Sequence, residues 1–333
     1  MKIFITGIAG FLGSHLADAL ISAGHEVSGL DDMSGGCHEN VPLAVQRVWT
    51  PMSCQQIGGL DLDCDVLIHT AALPHEGLSV FSPSIITESI YGASVAVFSK
   101  AIAAGVRRIV NLSSMARYGI GRPPFLETDE PKPRDPYAIA KLAAEQTLHC
   151  LCKAHGVEYV IAVPHSIIGE RQAIDPFRNV ATIFANRMLQ GQKPIIYGTG
   201  EQRRAFSYVG DVVPSLVQMA TSTDQKILSQ VINIGPDEET ISINELFEIM
   251  RPMCGYRGTA AHVDGRPLEV KHATCSSNKA RELLGYETTT STEEGLARLV
   301  ADIKKRGPRP FTYHLPIEIR SSAAPKTWTE KLL

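Results

Sequence analysis

Tyr137 and Lys141 lie four residues apart in the segment YAIAK, inside a predicted helix over Pro136–His155. Residues four apart share one face of a helix, so the lysine ammonium is expected to stand beside the phenol. A positive charge there favours the phenolate, which predicts a Tyr137 pKa below its usual value of about 10. Ser113 and Ser114 end a predicted strand, at the edge of a parallel sheet where ligands bind. These residues predict that Tyr137 is a general base for a hydroxyl group that Ser114 orients.

A glycine-rich turn lies near the N-terminus, where Gly7, Gly10 and Gly13 are spaced as GxxGxxG between an apolar strand and an apolar-periodic helix. The first glycine permits a tight turn, the second lets the backbone approach a pyrophosphate, and the third lets helix and strand pack closely. The unpaired N–H groups that open such a helix face the phosphates. The turn, with Phe11 and Leu12, therefore predicts a dinucleotide-binding site.

Asp31 and Asp32 end the second predicted strand, about 20 residues after this turn. A carboxylate there accepts hydrogen bonds from the adenosine ribose hydroxyls and repels a 2′-phosphate. No arginine follows directly, since the next residues are Met33, Ser34 and Gly35. The acidic pair therefore predicts NAD rather than NADP as the cofactor.

The composition excludes several classes of protein. The chain has 333 residues, 44% of them hydrophobic and 20% charged, which is typical of a globular protein rather than a disordered chain, a collagen or a coiled coil. The net charge of -3 disfavours a nucleic-acid partner. Apolar runs are shorter than the roughly 18 residues of a membrane span, so we expect neither a membrane partner nor a secretory signal. Seven scattered cysteines without a CxxC pair predict reduced thiols, no bound metal and a cytoplasmic location.

Alternating strands and helices predict an α/β fold, a Rossmann-type doubly wound parallel sheet with a smaller C-terminal α/β lobe for the substrate. The predicted strands of the first domain are Lys2–Thr6, Glu26–Leu30, Ala44–Trp49, Val66–Thr70, Arg108–Leu112 and Glu158–Pro164, with helices Gly10–Ala23, Ile85–Ala104 and Pro136–His155. The predicted elements of the lobe are the helices Asn179–Gln190, Ile243–Met253, Asn278–Leu284 and Thr292–Lys305 and the strands Pro194–Tyr197 and Val231–Ile234.

Three parts of the chain follow from this pattern. Residues 1–169 form the predicted NAD-binding domain, which carries the serine, tyrosine and lysine. Residues 170–306 form the predicted lobe, with some return of the chain to the first domain. Residues 307–333 form a C-terminal arm that packs over the surface, packs onto a partner subunit or is disordered.

Together the motifs resemble the extended short-chain dehydrogenase/reductase family, in its NAD-dependent nucleotide-sugar epimerase/dehydratase branch, which includes UDP-glucose 4-epimerases. GxxGxxG is the spacing of that family, and the resemblance covers about residues 1–305. Four further segments match it in order: HTAA (69–72), SSMARYG (113–119), YGTGEQRRAFSYV (197–209) and GRPLE (265–269).

The resemblance implies a set of binding residues and a homodimer. Its NAD-binding residues, beyond the turn and the acidic pair, are Ala71, Ala72, Tyr137, Lys141 and Pro164. Its substrate-binding residues are His75, Ser114, Ser166, Asn179, Val180, Ile195, Tyr197, Arg204, Arg266 and Glu269. Arg204 and Arg266 are the expected diphosphate anchors, because guanidinium groups bind phosphate oxygens well. UDP is the favoured nucleotide, with dTDP, CDP and GDP left open. The dimer would form through Ile85–Ala104 and the Tyr137 helix.

The residues after Ser114 distinguish the reactions of this family. The resemblance implies a shared first step, oxidation of a sugar hydroxyl by NAD. Dehydratases and decarboxylases of the family carry acidic residues near this point, whereas Met115 and Ala116 cannot transfer protons. We therefore expect C4 epimerisation of a UDP-hexose, UDP-hexosamine or UDP-hexuronate through a transient 4-keto intermediate. The alternatives are a dehydratase, a decarboxylase, a 4-ketoreductase, a 3,5-epimerase using His165, and a non-catalytic NAD-binding protein.

Several positions depart from the family pattern. Ser89 and Ser166 stand where asparagines are usual, and Pro51-Met52 replaces an acidic segment that would contact adenine. Arg117 replaces an apolar residue, and we expect it to point outward in a structural role rather than to contact a substrate carboxylate. Ala273 is small at a position that limits the pocket, which favours a 2-N-acetyl sugar.

Overall fold

Seven parallel strands form the central sheet of this computed structural model, which describes residues 1–50 and 54–333. In chain order the strands are β1 (Lys2–Thr6), β2 (Glu26–Leu30), β3 (Val48–Trp49), β4 (Val66–His69), β5 (Arg108–Leu112), β6 (Glu158–Pro164), β7 (Ile167–Ile168), β8 (Ile195–Tyr197), β9 (Arg203–Arg204), β10 (Ser207–Tyr208), β11 (Gln230–Ile234), β12 (Ile241–Ser242), β13 (Ala261–Val263) and β14 (His272–Ala273). The order across the sheet is β11-β6-β5-β4-β1-β2-β3. The order reverses between β1 and β4, which places a ligand crevice at their carboxyl ends.

Helices cover both faces of this sheet, as the Rossmann-type prediction requires. In chain order they are α1 (Phe11–Ser22), α2 (Cys54–Ile57), α3 (Glu76–Ser79), α4 (Pro83–Thr87), α5 (Ala93–Ala103), α6 (Pro136–His155), α7 (Val180–Leu189), α8 (Val209–Thr221), α9 (Ile243–Met253), α10 (Asn278–Leu284), α11 (Thr292–Arg306) and α12 (Lys326–Thr329). The predicted α/β fold class is therefore confirmed.

The core follows from the alternation of side chains along each strand. In β1, Ile3 and Ile5 point to the face covered by α1 and α8, while Phe4 points to the face covered by α5 and α6. All three side chains are at most 1% exposed. Strands buried on both faces must be apolar throughout, and this is why the predicted strands appear as continuous apolar runs.

The segment Pro83–Ala103 is a single helical stretch, in which a π-helical turn at Glu88–Gly92 joins α4 to α5. Among the described residues, this one stretch is long and apolar enough to cross a membrane, by length and composition alone. A core helix passes the same test, and Val97 and Phe98 of this stretch are buried against the sheet. Pro83 starts the helix two residues before the predicted Ile85 because proline suits the first helical turn.

The lobe packs α7, α9 and α11 around its own apolar core, which includes Phe184, Leu246, Phe247 and Leu299. The chain returns to the first domain within residues 170–306, in α8, β11 and α10. The predicted strand Val231–Ile234 is part of β11, and β11 pairs with β6 as an edge of the central sheet.

Two local predictions differ from the structure. The strand predicted over Ala44–Trp49 is shorter in the structure, where β3 spans Val48–Trp49 at the edge of the sheet, although Gln46 and Arg47 also form backbone hydrogen bonds with β2 at 2.9 and 3.0 Å. Helix α8 carries Pro214 in its first turns and was not predicted. The expectation about Pro51-Met52 falls outside the described residues. Six cysteines are described as free thiols: Cys37, Cys64, Cys150, Cys152, Cys254 and Cys275.

The C-terminal arm, residues 307–333, packs across both the first domain and the lobe. Its Leu315, Ala324 and Trp328 are buried in an apolar cluster that also contains Tyr137 and Phe177. Of the three arrangements left open by the sequence, the structure has the arm over the protein's own surface.

Candidate active site

The glycine turn connects β1 to α1 in a conformation that side chains would block. Gly7 has φ +74°, and a Cβ at Gly13 would lie 2.1 Å from the Gly7 carbonyl oxygen. Gly10 caps α1 without any side-chain hydrogen bond, so the backbone N–H groups of this helix end remain accessible to an anion. The turn therefore fits the pyrophosphate of a dinucleotide.

A cavity opens above this turn, and we call it the glycine-loop cavity. Asp31 is 5% exposed and accepts hydrogen bonds from the N–H groups of Ala9 (2.9 Å) and Met33 (2.8 Å). Burial raises the Asp31 pKa, while these N–H groups oppose the rise. Asp32 is exposed and accepts from Ser34. All nine residues predicted from the turn, the acidic pair and the HTAA segment line it: Gly7, Gly10, Phe11, Leu12, Gly13, Asp31, Asp32, Ala71 and Ala72.

Ser114, Tyr137 and Lys141 meet in a second cavity, the tyrosine cavity, beside the first. Asp135 caps α6 by accepting from the Ala138 N–H at 2.9 Å, which places Tyr137 in the first helical turn next to the end of β5. Ser114 Oγ accepts from the Ala116 N–H at 3.2 Å and lines the same cavity as the Tyr137 phenol, and Lys141 Nζ donates to the Leu112 carbonyl at 2.8 Å. The predicted Pro164 and Ser166, together with Ala273, also line this cavity.

Burial controls the protonation of this pair. It raises the Tyr137 pKa to about 12, with Glu76 and Asp135 adding to the rise and Ser114 opposing it. Burial also lowers the Lys141 pKa to about 8. The prediction that Lys141 lowers the Tyr137 pKa is therefore wrong for this structure, because loss of water around the phenol outweighs any effect of the lysine.

A third cavity, the lobe cavity, adjoins the tyrosine cavity and shares Ser166, Asn179 and Arg204 with it. The predicted substrate residues that line it are Ser166, Asn179, Val180, Ile195, Tyr197, Arg204, Arg266 and Glu269. The Arg266 guanidinium pairs with Glu269 at 2.8 Å and lies 4.7 Å from the centre of the Tyr197 ring. Two half-buried guanidinium groups in one cavity, those of Arg204 and Arg266, fit a diphosphate.

The structure does not bring His75 into this cleft, although its neighbours Pro74 and Glu76 line it. The His75 ring is 2% exposed, and its Nε2 lies 2.8 Å from Asp175 Oδ2. His314 of the C-terminal arm lies 3.7 Å from the same oxygen. The expected sugar contact is corrected, since the imidazole turns away to satisfy a buried carboxylate.

The same two histidines and Asp175 bring ligand atoms within 4.8 Å of one another. Arg178 Nε lies 3.9 Å from Asp175 Oδ2, and a guanidinium there opposes a bound cation. His75 Nδ1 is buried without a hydrogen-bond partner, whereas metal-ligating histidines usually donate that N–H. We interpret the cluster as a hydrogen bond between His75 of the first domain and Asp175, with His314 of the arm packed beside the pair.

Arg117 also differs from expectation, because it points inward. Its guanidinium is buried and lies 3.2 Å from Glu145 Oε2, and Ser113 donates to the other oxygen of Glu145. Glu145 is one helical turn beyond Lys141 on α6. The ion pair therefore joins the end of β5 to the helix that carries Tyr137 and Lys141.

Two cleft residues, Arg178 and Glu76, were not predicted from the sequence. Arg178 lines all three cavities, and its Nε is buried without a hydrogen-bond partner. Glu76 lines the tyrosine and lobe cavities, whose walls raise the pKa of its carboxyl by removing water. Arg178 directly precedes Asn179, so its place beside a predicted binding residue was a usable signal.

Known proteins share this architecture. A model of the NAD dependent epimerase/dehydratase family matches residues 3–235. A putative UDP-glucose 4-epimerase of Methanocaldococcus jannaschii is 32% identical over 303 residues, covering 90% of this chain and 97% of that protein. A UDP-N-acetyl-alpha-D-glucosaminuronate decarboxylase of Bacillus cytotoxicus is 28% identical over 319 residues, covering 90% of this chain and 96% of that protein.

Among solved structures, the UDP-glucose 4-epimerase of Thermotoga maritima with UDP-glucose has a TM-score of 0.85 and 29% sequence identity. That match covers 92% of this chain and 99% of the other. The family match spans more than half of the chain and agrees with the glycine turn, the acidic pair and the parallel sheet. The chain belongs to the NAD dependent epimerase/dehydratase family, and its cofactor is NAD.

Proposed function

We propose that this protein is a 4-epimerase of a nucleotide-activated sugar, with UDP as the favoured nucleotide. The observation that carries the proposal is the position of Ser114, Tyr137 and Lys141 in the tyrosine cavity, between the glycine-loop and lobe cavities. NAD bound over the glycine turn would face these residues from one side. A sugar whose diphosphate lies in the lobe cavity would face them from the other.

NAD bound in the glycine-loop cavity would supply the hydride acceptor, and then the hydride donor, for C4. Tyr137 Oη takes the proton of the C4 hydroxyl as hydride leaves C4, and this gives a 4-keto sugar. Ser114 lines the same cavity and would orient that hydroxyl by a hydrogen bond to it. Because the Tyr137 pKa is about 12, the phenol needs additional positive charge near it to act as a base. The phenol then returns the proton when hydride is accepted on the opposite face of C4.

The 4-keto sugar must turn over while its diphosphate stays bound. Arg204 and Arg266 are the proposed anchors, because both line the lobe cavity and both are half-buried. Arg204 Nη1 donates to the Arg203 carbonyl at 2.8 Å, which orients the guanidinium. Asn179, Val180, Ile195 and Tyr197 would surround the base, and Glu269 its ribose.

Decarboxylation of a nucleotide hexuronate is the second candidate, and Arg178 favours it. Its guanidinium lines the tyrosine cavity and would pair with a sugar carboxylate. Glu76 brings a carboxyl of raised pKa to the same junction, although Met115 and Ala116 provide no acid there. The Bacillus cytotoxicus relative is named for such a reaction.

We also propose a homodimer and a cytoplasmic location. Ile139 on α6 is 54% exposed and Tyr91 is 36% exposed, and the Tyr91 hydroxyl contacts Thr147 of α6 at 3.2 Å. These apolar side chains form an outward face shared by the two helical stretches. Pairing of that face with a second copy would cover it.

The experiment is to incubate the purified protein separately with UDP-glucose, UDP-N-acetylglucosamine and UDP-glucuronate, without added cofactor, and to follow proton NMR. We expect a mixture of C4 epimers from at least one. A pentose product with release of carbon dioxide from UDP-glucuronate would instead identify the decarboxylase. No conversion of any of the three by NAD-loaded protein would contradict the UDP-sugar epimerase.

A further inference from the structure

The C-terminal arm bridges the two walls of the substrate cleft. On the first domain, the Ser82 hydroxyl donates to the Pro316 carbonyl at 2.6 Å, and the Ile319 N–H donates to the Phe81 carbonyl at 2.8 Å. The Glu318 carboxylate accepts from the first two N–H groups of α4. These bonds attach the middle of the arm to residues 81–85, a segment that includes the start of α4, and α4 packs against the Tyr137 helix, α6.

The end of the arm attaches to the lobe. The Thr327 and Tyr197 hydroxyls are 2.5 Å apart, and Arg187 Nη1 donates to the Leu332 carbonyl at 3.4 Å. The Leu333 N–H donates to the Tyr313 hydroxyl at 2.9 Å, which folds the arm back on itself. Leu333 then lines the lobe cavity directly.

Trp328 is the centre of this bridge. It is 2% exposed, and its ring centre lies 6.1 Å from that of Phe81 on the first domain and 6.3 Å from that of Tyr197 on the lobe. A third ring, that of Phe177, has its centre 5.7 Å from the centre of the Trp328 ring. One side chain therefore contacts both sides of the cleft.

Trp328 also packs beside Arg266 and restricts where its guanidinium can lie. The guanidinium carbon of Arg266 lies 4.7 Å from the Tyr197 ring centre and 6.0 Å from the Trp328 ring centre, and Glu269 holds Nη2 at 2.8 Å. From the first domain, a Cβ on Gly77 would lie 3.2 Å from Arg266 Nη1 and 3.4 Å from the Trp328 ring. The guanidinium, on a side chain that is 26% exposed, is thus bordered by two rings, a carboxylate and a bare backbone, which limits its motion and lowers the entropy lost when it binds a phosphate.

We propose that the end of the C-terminal arm, residues 327–333, is part of the nucleotide-sugar site, in which Trp328 and Thr327 are positioning residues that hold Arg266 and Tyr197 for a nucleoside diphosphate. This inference rests on the proposed function, because it assigns the lobe cavity to a nucleotide. The ligand class is a nucleoside diphosphate, which both the substrate and its free nucleotide contain.

The test measures UDP binding by isothermal titration and bound NAD by absorbance in the NAD-loaded full-length protein. Trp328→Ala is expected to weaken UDP binding about tenfold, which is the loss of a desolvated cation–π contact and its packing. Bound NAD should change less than twofold, since the residues proposed to bind it line the glycine-loop and tyrosine cavities and not the lobe cavity. Trp328→Phe keeps a ring beside Arg266 and should restore most of the affinity.

Two further variants keep the test decisive if Trp328→Ala does not fold. Thr327→Val removes only the hydroxyl bonded to Tyr197 and should weaken UDP binding about threefold. Glu318→Ala is the matched control, because it loosens the arm at α4 without touching the lobe, so it should lower the melting temperature and leave UDP affinity unchanged.

The outcomes separate the two claims. Unchanged UDP affinity in Thr327→Val and Trp328→Ala overturns the role of the arm and leaves the proposed function standing. Parallel losses of UDP affinity, NAD content and melting temperature in all three variants show a purely structural arm and also overturn it. A wild-type protein that binds no UDP, dTDP, CDP or GDP overturns the proposed function and this inference with it.

Discussion

Replacing Arg117 with methionine should leave Glu145 as a buried carboxylate without its arginine partner. The two side chains are 8% and 4% exposed, and their closest atoms are 3.2 Å apart. Breaking a buried ion pair on one side costs about 3–5 kcal/mol of the free energy of unfolding. Ser113 still donates to Glu145, so we expect a loss of about 3 kcal/mol, at the low end of that range.

The double variant Arg117→Met/Glu145→Met should recover most of this loss. Nε and Nη1 of Arg117 are buried without hydrogen-bond partners, so the pair includes donors whose burial is uncompensated. Replacing a whole buried pair with apolar side chains is often neutral or stabilising. We therefore expect the double variant to unfold within about 1 kcal/mol of the wild type.

Urea unfolding at pH 7, followed by far-ultraviolet circular dichroism, measures these free energies. The matched control is Arg251→Met, which removes an exposed pair with Glu248 at 2.9 Å, where the side chains are 40% and 57% exposed. It should cost less than about 1 kcal/mol. The reasoning is refuted if Arg117→Met costs no more than this control, or if the double variant is less stable than the single one.

Four other perturbations test the site and the assembly. Tyr137→Phe should reduce turnover by about a thousandfold and leave NAD bound, as assayed by product NMR and absorbance, and substantial retained activity would contradict the assignment of the base. Arg204→Ala should weaken UDP binding about ten- to hundredfold in calorimetry without affecting NAD, whereas equal losses of both would exclude an anchor role. Burial lowers the His69 pKa to about 3, so the unfolded chain binds the proton more strongly between pH 6.5 and 3. The free energy of unfolding should therefore decrease as the pH is lowered through this range, by up to about 1.4 kcal/mol per pH unit. Urea unfolding at pH 7, 6 and 5 should show a shallower fall in His69→Asn, and an identical slope would reject this histidine as the cause. Ile139→Asp should convert the proposed dimer to a monomer in light scattering, and a wild-type protein that is already monomeric at micromolar concentration would remove the dimer from the proposal.

The sequence alone determined the parts of the site that depend on neighbours along the chain. The turn at Gly7, Gly10 and Gly13 needs only a strand before it and a helix after it. Tyr137 and Lys141 share a face because of the helical repeat, and Asp31 ends a strand beside the turn. Such contacts depend on local geometry, so residue type and spacing are sufficient to predict them.

Only the tertiary structure decided the features that depend on distant segments. His75 lies next to cleft residues in the chain, yet Asp175 binds its ring away from the cleft and the His314 ring packs beside it, each from another segment. Arg117 points inward because Glu145 on α6 offers a buried carboxylate, and no spacing in the sequence indicates that pairing. The predicted fall in the Tyr137 pKa was wrong because burial depends on every wall of the cavity.

The C-terminal arm is the clearest case of this difference. Residues 307–333 have little periodicity, so the sequence left packing, a partner contact and disorder equally open. Trp328 becomes a buried residue only when Phe81, Phe177 and Tyr197, from three separate segments, surround it. Contacts between segments far apart in the chain form only when the whole chain folds, because bringing such segments together costs conformational entropy. The pattern of these contacts is therefore a property of the folded molecule rather than of any local stretch of sequence.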